Sequence, residues 1–103
     1  MATPDESDPS AEYVVELPID GVLDLHPFAP KEIPDLVATY LDECHLRGIT
    51  SVRLIHGKGS GAQRAAVARV LARHRWVRAY RTADEAAGGW GATLVDLLPL
   101  DQA

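Results

Sequence analysis

Residues 52–64 read VRLIHGKGSGAQR, and this stretch constrains the fold more than any other. A β-branched apolar run ends at His56. Gly57, Gly59 and Gly61 follow at alternate positions, with Lys58 and Ser60 between them, and a helical pattern begins directly afterwards. Glycine loses more backbone freedom on ordering than any other residue. Three in five positions therefore mark a chain that turns through left-handed geometry, or that something approaches closely. Strand, glycine turn and helix in this order belong to a domain in which helices pack on a sheet.

The flanking segments complete that picture. GVLDLH (21–26) alternates as a half-buried strand. Ile33, Leu36, Val37, Tyr40, Leu41 and Cys44 step by three and four, the stripe of an amphipathic helix. Pro34 must lie in that helix's first turn, and Gly48 closes it in left-handed geometry. Residues 49–55 predict a second strand. Ala66, Val67, Val70, Leu71 and His74 predict the inner face of a second helix over 61–74. WVRAYRTA (76–83) and ATLVDLL (92–98) are the third and fourth strands, separated by the loop GGWG (88–91). YVVELP (13–18) reads as an additional short edge strand. The order β-α-β-α-β-β predicts an α/β fold, an α+β two-layer sandwich of two helices on a mixed four-stranded sheet.

At 103 residues, 47% apolar and 24% charged, the chain is sized and composed for one globular domain. Residues 1–11 are expected to be a flexible acidic tail, 12–99 the domain and 100–103 a second tail. The opening MATPDESDPSAE has no apolar core of a signal peptide, and no run approaches the ~18 apolar residues of a membrane span. Cys44 is the sole cysteine, which excludes an internal disulfide and suits a reducing cytoplasm. A monomer is the expected state. Cys44 completes an apolar stripe and reads as core. His45 and His74 sit on helices without a motif and read as structural, and Trp90 reads as a packing residue rather than a base-stacking one.

The net charge of −5 conceals a segregation. Residues 1–43 carry eleven acids and one lysine, residues 44–83 carry nine Lys/Arg and no acid, and residues 84–103 carry four acids and no base. An acid-free basic block centred on the glycines is the footprint that phosphate backbones select, although an arginine-rich solvated helix face gives the same composition. A Walker A loop is excluded, since Gly59 follows Lys58 where Ser or Thr belongs and Val52 occupies the first glycine position. Gly57-x-Gly59-x-x-Ala62 matches the dinucleotide fingerprint, with Asp84 near the expected offset, but that fold needs several further parallel strands. A glycine-lined helix N-terminus holding one phosphate of a polymer, with Lys58 as a point charge, suits the basic block. That reading predicts positive φ among Gly57, Gly59 and Gly61, with their amides turned to solvent or an anion.

LDLH (23–26), HGKGSG (56–61) and GGWGAT (88–93), in this order and on these elements, resemble the Smr (small MutS-related) domain family over residues ~12–99. The resemblance implies a fold similar to the C-terminal domain of bacterial translation initiation factor three. It implies a nucleic-acid endonuclease, nicking DNA or cutting RNA on stalled ribosomes by phosphodiester hydrolysis or transesterification. Some family members are appended to MutS-type proteins and others are short stand-alone chains like this one.

The family places its cutting residues in the aspartate-x-histidine of the first motif, here Asp24 and His26. Residues two apart on a strand share a face, so a carboxylate can fix and polarise the neighbouring imidazole. His56, at the end of the adjacent strand, is expected to be a second acid–base group. Two imidazoles with offset pKa values move protons without a metal, and no cofactor is indicated, although a divalent ion is compatible. Gly57, Lys58, Gly59, Ser60, Gly61 and Arg64, with Gly89 and Gly91 of the late turn, are the expected phosphate-binding residues. One departure stands out: Pro27 follows His26 where many family members carry glycine, which removes an N–H donor. The alternative is a non-catalytic module that binds nucleic acid or the ribosome through the same loop.

Overall fold

Leu23 and Leu25 point one way and Val22 and Asp24 the other, and this alternation builds the first strand, β1 (Val22–Asp24). The computed structural model describes residues 18–57, 61–83 and 91–102. A 3-10 turn (Pro30–Glu32) leads into helix α1 (Ile33–Leu46), followed by β2 (Ser51–Ile55), α2 (Ala62–Leu71), β3 (Val77–Thr82) and β4 (Ala92–Leu97). The strands form one mixed sheet in the order β1-β2-β4-β3. β1 and β2 are parallel, with Leu23 beside Leu54 and Asp24 beside Ile55. β4 runs antiparallel to both β2 and β3. The fold is thus two helices on a four-stranded sheet, and the antiparallel strands after β2 exclude a dinucleotide-binding topology.

Both helices bury their stripes on one face of that sheet. Ile33, Val37, Tyr40, Leu41 and Cys44 of α1 and Ala66, Val67 and Leu71 of α2 share a core with Leu23, Leu25, Val52, Leu54, Val95 and Leu97. Pro34 lies in the first turn of α1, where a missing N–H costs nothing. Gly48, at φ +76°, ends α1. Its N–H reaches His45 O, and Ile49 N–H reaches Cys44 O at 2.9 Å, which closes a Schellman cap.

The second helix ends at Leu71 rather than at 74, so His74 lies beyond it while His45 lies within α1, and both histidines are structural. His45 is buried and stacked on Trp76, ring centroids 3.9 Å apart. His74 accepts the Trp76 N–H on Nδ1, so its Nε2 proton faces Asp42 and the Ala38 carbonyl. Residues 100–102, expected as tail, form a single 3-10 turn (Leu100–Gln102). The expected edge strand at 13–18, apart from Pro18, which is in no strand, and the Asp84 position and Trp90 lie outside the described residues. No described helix is long and apolar enough to cross a membrane.

Candidate functional site

The carboxyl ends of the parallel pair β1 and β2 lie side by side, and the chain turns sharply as it leaves each. Crevices at such strand ends are where open α/β sheets hold their ligands. After β1 the turn over residues 25–28 is closed by Phe28 N–H to Leu25 O at 3.1 Å, and Leu25 N–H anchors it to Ile55 O at 2.8 Å. This turn carries His26, exposed beside the exposed Asp24.

Asp24 Oδ1 accepts two hydrogen bonds from His26, from its backbone N–H at 2.9 Å and from its ring Nδ1 at 2.7 Å. The backbone bond foremost, then the ring bond, holds the Asp24 carboxyl below its ordinary range. An ionised carboxylate only accepts, so the ring proton sits on Nδ1 and the neutral imidazole's lone pair on Nε2. That nitrogen faces Gly57, where an added Cβ would stand 2.5 Å from it. Gly57 also has φ +84°, so both its backbone and its neighbour require glycine.

His56 occupies a different environment from the one its motif predicts. It is 4% exposed, and both ring nitrogens are engaged. Nδ1 donates to Gly57 O at 3.0 Å, which leaves Nε2 to accept from the Thr93 hydroxyl at 2.8 Å. Moving a proton through His56 would require breaking one of these bonds. Gly91 O accepts from both His56 N–H (2.9 Å) and Gly57 N–H (2.8 Å). The Gly57 amide, expected to face an anion, is therefore committed to the sheet, and Gly91 is its pairing and packing partner. A Cβ on Gly91 would lie 3.3 Å from Gly57 Cα.

Gly61, at φ +91°, caps the start of α2, so both described glycines of the predicted cradle are left-handed. Gly61, Ala62, Gln63 and Arg64 line a cleft of ≈ 240 Å³ together with Pro30, His56 and Gly57. The positive end of the helix and the exposed Arg64 give this cleft an anion-attracting wall. The Asp24–His26 pair borders the cleft across Gly57 rather than lining it. Lys58, Gly59, Ser60 and Gly89 lie outside the described residues. Among the described residues no three His, Cys, Asp or Glu side chains converge to hold a metal.

Two site residues escaped the sequence reading. Thr93 stands within the quoted GGWGAT, but nothing in that motif names the hydroxyl as the partner of His56. Gln63 Nε2 donates to Phe28 O at 2.9 Å and Leu25 O at 3.3 Å, tying α2 to the His26 turn. A neutral polar residue in a helix's first turn gives no local signal for such a contact.

Comparison with known proteins bears on this geometry. Residues 23–98 match the family model described as Smr domain. The chain is 44% identical over 79 residues to Endonuclease MutS2 of Pelotomaculum thermopropionicum and 40% identical over 79 residues to that of Listeria welshimeri. Each match covers 77% of this chain and 10% of the relative, so the chain spans about a tenth of these relatives' length. The crystal structure of the Smr domain of Thermus thermophilus MutS2 superposes with TM-score 0.73 at 35% identity, covering 78% of this chain and 100% of that one. YdaL, a stand-alone small MutS-related protein from Escherichia coli, superposes with TM-score 0.69 at 32% identity, covering 75% and 63%.

Proposed function

This chain belongs to the Smr domain family, and from that premise we propose that it is a nucleic-acid-binding endonuclease with Asp24 and His26 as its acid–base pair. The observation that carries the reading is the 2.7 Å Asp24–His26 bond, which frees Nε2 beside a cleft built on a helix N-terminus. In this reading a backbone phosphate sits at the start of α2, held by the helix end and Arg64, with Lys58 contributing from the same loop. His26 Nε2 takes the proton of the attacking oxygen, from water or a neighbouring ribose hydroxyl. The new O–P bond forms as the P–O bond to the leaving oxygen breaks, and the proton passes to that oxygen. Asp24 stabilises the transient imidazolium. His56 holds the carbonyl of Gly57 and so shapes the wall that Nε2 faces.

A second reading, a binding module without cleavage, is favoured by Pro27, which offers no N–H within the turn that carries His26. One experiment separates them. Purified protein is incubated with supercoiled plasmid and with structured RNA, with and without EDTA, beside the His26→Ala variant. The endonuclease reading expects cleavage by the parent chain and loss of ~100-fold or more in His26→Ala, with affinity retained. Binding without cleavage supports the module. A folded His26→Ala protein that cuts at the parent rate overturns the assigned role.

A further inference from the structure

We propose that Gln63 is a positioning residue, which couples the cleft end of α2 to the orientation of His26. The proposal rests on the reading of His26 as general base. Leu25 holds the turn over residues 25–28 to the sheet, through its buried side chain and its N–H to Ile55 O, but the residues that follow have few main-chain bonds to add. Pro27 has no N–H, the His26 N–H is committed to Asp24, and the Phe28 N–H closes the turn on Leu25 O. Its external tether on the helix side is the Gln63 side chain, which reaches the Leu25 and Phe28 carbonyls from 38 and 35 residues away.

Carbonyl oxygens only accept, so two of them at one amide require its –NH₂ end and fix which way the amide faces. Both protons of that nitrogen are then in use. Gln63 is also a wall of the cleft, one residue from Arg64 and two from Gly61. An anion seated at the helix start therefore acts on the same rigid turn of α2 that grips the His26 turn. Binding energy gained at the phosphate is in this way transmitted to the placement of the base, where a shift of ~1 Å costs up to about 100-fold in rate.

The test uses three variants of the full chain. Gln63→Leu removes the amide at similar size, and Gln63→Asn keeps the amide but shortens its reach. Gln63→Glu replaces the donor by a carboxylate that cannot donate until it is protonated. The first readout needs no substrate. Long-range ¹H–¹⁵N spectra of the free protein report which His26 nitrogen carries the proton. The parent should show His26 held in the Nδ1–H form by Asp24, and Gln63→Leu and Gln63→Asn, in which the loosened turn weakens that Asp24 bond, should show a mixture of tautomers. The second readout is kinetic. Both variants should lose roughly 10- to 100-fold in kcat with KM within about twofold, and Gln63→Glu should lose at least as much, its carboxylate facing the two carbonyls with no proton to donate. Should Gln63→Leu not fold, Gln63→Asn and Gln63→Glu decide the question. Folded variants with a parent-like His26 tautomer would overturn the proposal. If the parent chain cuts nothing, the endonuclease reading fails, while the spectra still decide whether Gln63 orients His26.

Discussion

Oδ1 of Asp24 fixes two features of His26 at once, the backbone of its turn and the tautomer of its ring. In Asp24→Asn an amide nitrogen competes for the same position and selects the wrong tautomer, while the charge that steadies an imidazolium is lost. The rate of cleavage should fall by ~100-fold or more with the fold intact, measured by single-turnover assay beside circular dichroism. The lowered Asp24 carboxyl has a pH consequence of defined sign. A group whose folded pKa is depressed stabilises the fold above its unfolded value, and that contribution fades as the pH falls below about 4. The stability curve of Asp24→Asn should lack that acid limb. His56 makes the opposite kind of prediction. Its removal in His56→Ala leaves a buried hydroxyl and a carbonyl without their partner, so unfolding in urea should show a loss of about 1–3 kcal/mol. If His56 were instead the second acid–base group, the variant would lose one limb of the pH–rate profile.

At the scale of elements, a phenol adds a polar tie to the apolar packing between α1 and β1. The Tyr40 hydroxyl accepts from Gly21 N–H at 3.0 Å and donates to Val22 O at 3.1 Å. It thereby satisfies the backbone just where β1 begins. Periodicity shows Tyr40 only as an apolar stripe member; its hydroxyl is what sets the helix against the strand that carries Asp24. Tyr40→Phe strands a buried N–H and should cost about 1–3 kcal/mol by urea denaturation at neutral pH. Burial foremost pushes the phenol up to about 12. Since the unfolded phenol titrates near 10, the folded state binds more protons between these values, and stability falls across that window. Burial likewise raises the Cys44 thiol. Alkaline loss of stability should therefore shrink in Tyr40→Phe and persist in part through Cys44. At the far edge, residues 78–82 of β3 are all exposed, and Arg78, Arg81 and an irregular register near Val77 blunt an edge that would otherwise invite pairing.

Across the whole molecule, charge and topology work together. The acid-free block 44–83 spans β2, the cleft, α2 and β3, while the acids lie before and after it. If this block carries the contact with nucleic acid, log affinity should fall linearly with log salt between about 50 and 200 mM, because bound cations are released. Arg64→Gln should weaken binding to all sequences alike and reduce that slope by about one. Titration of labelled oligonucleotides at several salt concentrations measures both, and binding indifferent to salt would remove the block from the interface. Much of this architecture was determined by the sequence itself. The strand alternation that buries Leu23 and Leu25 and exposes Asp24, the helical stripe ending at Cys44, and the left-handed Gly48, Gly57 and Gly61 all follow from sterics and periodicities acting within a few residues. The partners of the polar side chains were decided only by the tertiary structure. His56 meets Thr93 across 37 residues because β2 and β4 pair in one particular register, and that same pairing carries the Gly57 amide to Gly91 O instead of to an anion. Gln63 meets the His26 turn because α2 starts beside the end of β1. Hydrogen bonds are short-ranged and directional, so which donor meets which acceptor is fixed only when the layers have docked.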